Sequence, residues 1–248
     1  MAEDFEANRR AWDAESDAYQ AQHERQLEQT PEAWGVWSLP ESDLQLLGDV
    51  AGRDVLEYGC GAAQWSIALA KRGARCTALD NSARQLFHAE RALAAAGVSF
   101  PLVHRPAEDT GLAAGSFDLV FCDHGAMTFA APERTIPEVA RILRPGGVLA
   151  FSVEHPLHAA AWSYAENAVS YELHESYFDL DRIDDPGGSV SFARTISGYV
   201  ALLLEHGFAI QKLLEPRPPA GAQTTYVMTP YEWARRFPGE VMFRARLK

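Results

Sequence analysis

From residue 53 onward, short apolar runs alternate with longer segments of helical periodicity, and this alternation constrains the fold more than any other feature. Strands are predicted at 53–58, 75–80, 99–104, 117–122 and 147–153. Helices are predicted between them at 64–73, 82–96 and 132–143, the last ended by the Pro and Gly residues of 145–147. This order of elements is typical of a parallel sheet with helices on both faces.

The C-terminal part of the chain is expected to complete the sheet. A helix over 195–206 is followed by predicted strands at 208–214 and 241–247. We therefore predict an α/β fold: a single doubly wound Rossmann-like domain whose seven-stranded, mostly parallel sheet has an antiparallel last strand.

Two further segments stand outside this rhythm. Residues 1–50 contain a polar, helix-forming stretch with one aromatic stripe, which predicts an N-terminal helical cap on a main domain of 51–248. Residues 156–190 are aromatic, acidic and without a clear period. We interpret them as a lid insertion.

Residues 54–63 (DVLEYGCGAA) combine an apolar strand with a turn of small residues that opens a helix. Such a turn brings backbone N–H groups close to a ligand. The next strand ends at Asp80, nineteen residues after Gly61, where a carboxylate can accept both hydroxyls of an adenosine ribose. An adenosine-containing ligand is predicted, and a dinucleotide stays open because Ala63 can serve as the third small position.

Four motifs resemble, in order and spacing, those of class I S-adenosylmethionine-dependent methyltransferases. They are VLEYGCG (55–61), LDNS (79–82), GSFDLV (115–120) and RILRPGG (141–147). The resemblance covers about 53–153 and is strongest to the small-molecule branch with the ubiquinone and menaquinone biosynthesis enzymes. It implies an S-adenosylmethionine cofactor and methyl transfer to a small-molecule acceptor, in specialised metabolism as one setting.

The resemblance also assigns residues to the cofactor. The turn of Gly59, Cys60 and Gly61 would form the floor under its methionine and ribose, and Glu57 would lie near its ammonium group. Asp80 would bind the ribose hydroxyls.

The other assigned positions follow later strands. Asn81 would lie beside the adenine, and Asp123 near the sulfonium and methionine. The N–H of Ala107 would contact the adenine ring. Pro106 occupies the position where the family has an acid, so Glu108 or water would replace that carboxylate.

Methyl transfer requires an aligned, desolvated nucleophile and, for a hydroxyl or ammonium acceptor, a group that takes its proton. His124 and His155 follow the fourth and fifth strands and are therefore the candidate bases, with strand-end capping as the alternative. His155 and His158 lack a third partner, so no metal site is predicted. Tyr19 is expected either to reach the cofactor from the cap or to pack against the core.

Charge and composition limit the partners. The net charge is −12, from 34 acidic and 22 basic residues, which argues against nucleic acid. The sequence has no run near the roughly 20 apolar residues of a membrane span, so we expect a cytoplasmic protein without a membrane partner. The three cysteines are predicted to be reduced core residues. Inward-facing acids of 156–190 would favour a neutral or amine-bearing acceptor, and a homodimer is possible.

Two other functions are considered. An NAD(P)-dependent oxidoreductase would share the glycine turn, but we find no separate substrate domain or hydride-transfer apparatus in the sequence. A non-catalytic cofactor-binding protein is the other alternative, given Pro106. The acceptor atom, O, N, C or S, is left open.

Overall fold

The computed structural model describes residues 2–248. The N-terminal elements are α1 (Ala2–Gln29), the hairpin strands β1 (Ala33–Trp34) and β2 (Leu39–Pro40), and α2 (Glu41–Leu44). Trp34 is fully buried, and its indole Nε1 donates to Glu41 at 2.7 Å. This hydrogen bond ties the hairpin to α2.

The central elements alternate between strand and helix as predicted. They are β3 (Asp54–Tyr58), α3 (Gln64–Lys71), β4 (Arg75–Asp80), α4 (Ala83–Ala96), β5 (Leu102–His104), β6 (Phe117–Asp123), α5 (Gly125–Phe129), α6 (Pro132–Ile142) and β7 (Leu143–Glu154). Local sequence sets the limits of α4: the Ser82 hydroxyl accepts from the N–H of Gln85, and Gly97 ends the helix in the left-handed conformation.

The C-terminal third begins with short elements and ends with long strands. Its elements are α7 (Pro156–Ala160), β8 (Trp162–Ser163), β9 (Ala168–Val169), β10 (Ile183–Asp184), β11 (Val190–Ser191), α8 (Ile196–Glu205), β12 (Phe208–Leu214), α9 (Tyr231–Ala234) and β13 (Glu240–Leu247). Within 156–190 the chain therefore forms one helical turn, the hairpin β8–β9 and the first strand of a second hairpin, β10–β11.

The seven-stranded sheet has the order β12-β13-β7-β6-β3-β4-β5. Its strands pair in parallel except for β13, which is antiparallel to both β7 and β12. This confirms the predicted fold, including the antiparallel last strand. Because β3 lies between β4 and β6, the strand order reverses beside it, and a crevice is expected at the carboxyl ends there.

The start of β7 differs from the prediction. It was expected after the glycines but begins at Leu143, which pairs with Phe117 as soon as α6 ends. Arg144 makes ion pairs of 2.8 Å with Asp54 and with Asp118, which lie on two neighbouring strands. The pairing then shifts from Leu143 to Val148, so residues 144–147 form an irregular bulge at the start of β7, with Gly146 at φ +80°.

Successive strand residues pack on opposite faces of the sheet. Leu56 and Val120 belong to the core under α6 and α8, whereas Val55 and Leu119 pack with Trp34 and the N-terminal segment. Both faces are therefore covered, as in a doubly wound fold.

The predicted core cysteines are all buried and free of disulfide bonds. Along residues 2–248, no helix combines the length and apolar character needed to cross a membrane.

Candidate functional site

A cavity of about 550 Å³ opens at the carboxyl ends of β3, β4, β6 and β7. This volume lies within the roughly 300–1,000 Å³ typical of small-molecule sites. Most of the predicted site residues line it: Tyr19, Glu57, Gly59, Cys60, Gly61, Asp80, Asn81, Ala107, Glu108, Asp123 and His124. Helix α1 covers one side, and the insertion contributes Trp162 and Tyr164 to another.

Gly59 and Gly61 have different roles in the turn after β3. Gly59 has φ +84°, and a Cβ there would lie 2.2 Å from the backbone nitrogen of Ala126. The start of α5 can approach the turn only because Gly59 has no side chain. Gly61 has φ +52°, and the atom nearest to its would-be Cβ is Oε1 of Gln85, at 3.7 Å. A side chain at Gly61 would therefore enter the cavity.

Asp80 is fixed beside this turn by backbone donors. Its Oδ2 accepts from the N–H of Gly61 and its Oδ1 from the N–H of Ser82, each at 2.8 Å. Burial raises the pKa of Asp80 to about 6, although these hydrogen bonds oppose the rise. At neutral pH the cavity therefore contains a carboxylate next to Gly61.

Glu57 lies at the end of β3 and is almost fully buried. Its Oε2 accepts from the N–H of Ser66 on α3 at 3.0 Å. Burial raises the pKa of Glu57 to about 8. The unliganded site thus holds this carboxyl largely protonated at pH 7.

The cavity wall near β4 and β5 contains the next predicted residues. The Asn81 amide donates to the carbonyl of Phe5 on α1 at 2.7 Å. The Tyr58 hydroxyl donates to the carbonyl of Ala107. Burial raises the pKa of Glu108. These contacts hold α1 and the segment after β5 against the same end of the cavity.

Asp123 and His124 end β6 on the other side of the turn. Asp123 accepts from the N–H of Gly35 at 3.0 Å and from the hydroxyl of Ser152. Burial lowers the pKa of His124, but the hydrogen bond and charge of Glu240 outweigh burial and raise this pKa to about 9. The imidazole Nε2 lies 2.5 Å from Glu240 Oε1. His124 is therefore a cation at neutral pH, which removes its capacity to accept a proton.

Tyr19 joins α1 to the loop before α9. Its hydroxyl lies 2.7 Å from that of Tyr226, and the imidazole of His23 stacks on the Tyr226 ring with centroids 4.1 Å apart. The Gln26 side chain extends the contact by accepting from the N–H of Thr225 at 2.8 Å. The rings of Tyr19, His23 and Tyr226 form an aromatic cluster that lines the cavity, the latch.

Comparison with known proteins gives the family. A family model described as a methyltransferase domain matches residues 56–151. A malonyl-[acyl-carrier protein] O-methyltransferase of Enterobacter lignolyticus is 31% identical over 181 residues, which are 66% of this chain and 70% of that protein. The chain belongs to the class I S-adenosylmethionine-dependent methyltransferases.

Other members of the family match over shorter stretches. A ubiquinone biosynthesis O-methyltransferase of Cronobacter sakazakii is 30% identical over 127 residues, 51% of this chain and 52% of that enzyme. One from Aromatoleum aromaticum is 35% identical over 104 residues, 42% of this chain and 44% of the enzyme. The chain thus spans about half the length of these curated relatives.

Solved structures agree with the fold. A methyltransferase described as S-adenosylmethionine dependent, from Mesorhizobium loti, has a TM-score of 0.68 and 25% identity, over 83% of this chain and 95% of that one. A second methyltransferase, described as putative, from Listeria monocytogenes, has a TM-score of 0.67 and 24% identity, over 84% of this chain and 97% of that one.

The placement of His155 at the cavity rim was wrong. In the structure, His155 is the N-cap of α7: its Nδ1 accepts from the N–H of Leu157, and its Nε2 lies 2.8 Å from Glu215. The following Pro156 occupies the first helical position, where Pro is favoured and where the preceding residue becomes the cap. The His155-Pro156 pair in the sequence therefore favours the capping alternative for His155.

The residue that lines the cavity instead is His158, one turn further along α7. It is buried between Glu154, which contacts its Nδ1, and Thr229, whose hydroxyl lies 2.8 Å from its Nε2. Glu240 was also missed, although the antiparallel pairing of β13 with β7 places it directly opposite Glu154. No sequence pattern indicated that Tyr226 lines the cavity, since it lies in a loop without periodicity.

Proposed function

We propose that the protein transfers a methyl group from S-adenosylmethionine to a small-molecule acceptor that is neutral or amine-bearing. The observation that carries the proposal is one continuous cavity with Gly61 and Asp80 at one end and polar and aromatic side chains at the other. Such a cavity can hold cofactor and acceptor side by side, and this proximity is the main requirement for an in-line displacement.

The residues present fit the cofactor. The Asp80 carboxylate would accept the ribose hydroxyls, and the space that a Cβ on Gly61 would fill is available for the ribose and methionine. Asn81 and Ala107 would flank the adenine, and Glu108, buried beside them, would supply the carboxylate for its amino group.

When bound, S-adenosylmethionine supplies an electrophilic methyl group on a sulfonium cation. Positive charge at the centre of the cavity would favour the ionised form of Glu57, which would then stabilise that charge together with Asp123. The latch, which includes Tyr19, would exclude water that competes with the acceptor. The paired imidazolium of His124 would hold Glu240 in place rather than act as a base, so catalysis would depend mainly on alignment and desolvation.

Turnover with methyl-labelled cofactor across metabolite extracts tests the proposal. We expect protein-dependent transfer of label into the small-molecule fraction, and no transfer with Gly61→Val. If S-adenosylhomocysteine binds but the label stays on the cofactor in every extract, the alternative of a non-catalytic cofactor-binding protein is correct.

A further inference from the structure

The side chains that line the cavity include many more carboxyl groups than cationic groups. The carboxyl-bearing residues among them are Glu15, Glu57, Asp80, Glu108, Asp123, Glu154, Asp185 and Glu240. The described lining residues include no lysine or arginine, although the whole chain has 22 of them. A cleft lined mainly by groups of one charge sign raises the local concentration of ligands of the opposite sign.

These carboxyl groups divide between the two ends of the cavity. The groups of Glu57, Asp80, Glu108 and Asp123 are the ones proposed above for the cofactor. Glu154 and Glu240 lie at the other end, as register partners on β7 and β13. Asp185 comes from the loop between β10 and β11 and lines the same cavity. The acceptor end is therefore acidic in its own right.

Like charges on directly opposed strand residues are destabilising unless compensated. Two imidazoles compensate in part: His158 pairs with Glu154, and His124 with Oε1 of Glu240. Oε1 of Glu240 also accepts from the N–H of Val36 at 2.9 Å.

The second oxygen of Glu240 is different. Glu240 is only 3% exposed, and its Oε2 is buried without a hydrogen-bond partner among residues 2–248. A buried carboxylate oxygen left unpaired is costly, and native structures normally supply a donor. Since Glu240 lines the cavity, a bound molecule can supply that donor.

Aromatic rings lie at the same end. Trp162 and Tyr164, from the insertion, line the cavity. Burial raises the pKa of the Tyr164 hydroxyl, and the negative charges of Asp185, Glu175 and Glu154 add to the rise. Aromatic faces beside carboxylates are a favourable environment for an organic cation.

We propose that this end of the cavity, formed by Glu154, Asp185, Glu240, Trp162 and Tyr164, binds an acceptor through a protonated amine. The ammonium group donates to Oε2 of Glu240 and is stabilised by the other two carboxylates and the rings. Phosphorylated and carboxylated acceptors are disfavoured because no described lysine or arginine lines the cavity. This inference rests on the proposed methyl transfer for the role of the ligand as acceptor.

Three probes of similar shape and different charge test it: phenethylamine, phenethyl alcohol and hydrocinnamate. Their affinities are measured by calorimetry on the protein alone and on the protein saturated with S-adenosylhomocysteine. We expect the amine to bind at least about tenfold more tightly than the alcohol, and the carboxylate most weakly. Equal affinities, tighter binding of the carboxylate, or no binding of the amine at millimolar concentrations would overturn the inference.

Glu154→Gln and Glu240→Gln should each abolish the preference for the amine. The control is Glu172→Gln, which changes an exposed acid of the insertion that does not line the cavity and should keep the preference. Glu154→Gln serves if loss of the His124 partner unfolds the Glu240 variant. If Glu240→Gln instead loses affinity for S-adenosylhomocysteine and keeps the probe order, Glu240 binds the cofactor and the inference is wrong.

The two proposals fail separately. A protein that does not bind S-adenosylhomocysteine refutes the methyl-transfer function, but the probe order on the protein alone still decides whether the cationic subsite exists.

Discussion

Gly59 and Gly61 are close in sequence, yet a side chain at Gly59 should mainly lower stability, whereas one at Gly61 should mainly block ligand binding. A Cβ at Gly59 meets the backbone of Ala126 at 2.2 Å, so Gly59→Ala should lower the Tm by several degrees or prevent folding. Gly61→Val should abolish binding of S-adenosylhomocysteine with a smaller loss of Tm. The control is Gly52→Val, which has similar left-handed strain and no atom within 4 Å. Wild-type affinity in Gly61→Val would refute the proposed cofactor position.

The pair of His124 and Glu240 predicts a pH-dependent stability. Burial opposes protonation, but Glu240 raises the pKa of His124 from 6.5 to about 9. The pair therefore stabilises the fold fully below pH 6.5, and this contribution is lost as the pH rises through 9. In urea denaturation, the stability difference between wild type and His124→Gln should shrink by about 3 kcal/mol over that interval. A difference that does not change with pH contradicts the assignment.

The same variant separates a charge role from a base role. Because His124 is already protonated at neutral pH in this structure, we expect His124→Gln to keep turnover within about tenfold of wild type. A loss of 10²–10⁴-fold, roughly that of a general base, would show that His124 deprotonates during the reaction.

Some site residues could be identified from sequence because their signal is local. Gly61 and Asp80 belong to one strand, turn, helix and strand unit with fixed spacing. The partner of His124 could not be found in this way, since Glu240 is 116 positions away. His155 follows a strand as expected, but Pro156 starts α7 directly after it, and His155 therefore caps this helix and does not line the cavity.

At the scale of elements, the alternation of apolar and helix-period segments predicted the limits of β4 and β12, although polar residues such as Gln211 and Lys212 interrupt β12. β7 begins earlier because Leu143 already pairs with Phe117, ahead of an irregular stretch at 144–147. The hairpins β8–β9 and β10–β11 have strands of two residues, which is too short for any periodicity.

The predicted lid is testable by hydrogen exchange. α1 is held over the cavity by the contact of Tyr19 with Tyr226, and the Asn8 amide reaches the carbonyl of Val190 at 2.9 Å, so α1 and the insertion are coupled. Saturation with S-adenosylhomocysteine should slow exchange in α1 and in 156–190. Tyr226→Phe, which loses only the hydroxyl contact, should reduce the protection of α1. Slowing confined to 57–81 would show that neither segment closes on the ligand.

For the whole molecule, the sequence was sufficient for the architecture and insufficient for the acceptor end. The sheet order follows from many apolar runs that all favour the same layers. The acceptor end joins residues from the end of β7, the β10–β11 loop and the start of β13, which only the folded chain brings together. Its excess of carboxyl groups is therefore a property of the fold, and the net charge of −12 by itself did not indicate it.

The most direct test of the central claim is calorimetric titration of wild type, Asp80→Ala and Asp109→Ala with S-adenosylhomocysteine and with NAD. Asp80→Ala removes the carboxylate proposed for the ribose, and Asp109→Ala removes an exposed one nearby that does not line the cavity. We expect wild type and Asp109→Ala to bind S-adenosylhomocysteine equally and NAD not at all. Asp80→Ala should bind it more weakly by about 1.5–3 kcal/mol. Equal affinity in all three proteins, or tighter binding of NAD, would contradict the account.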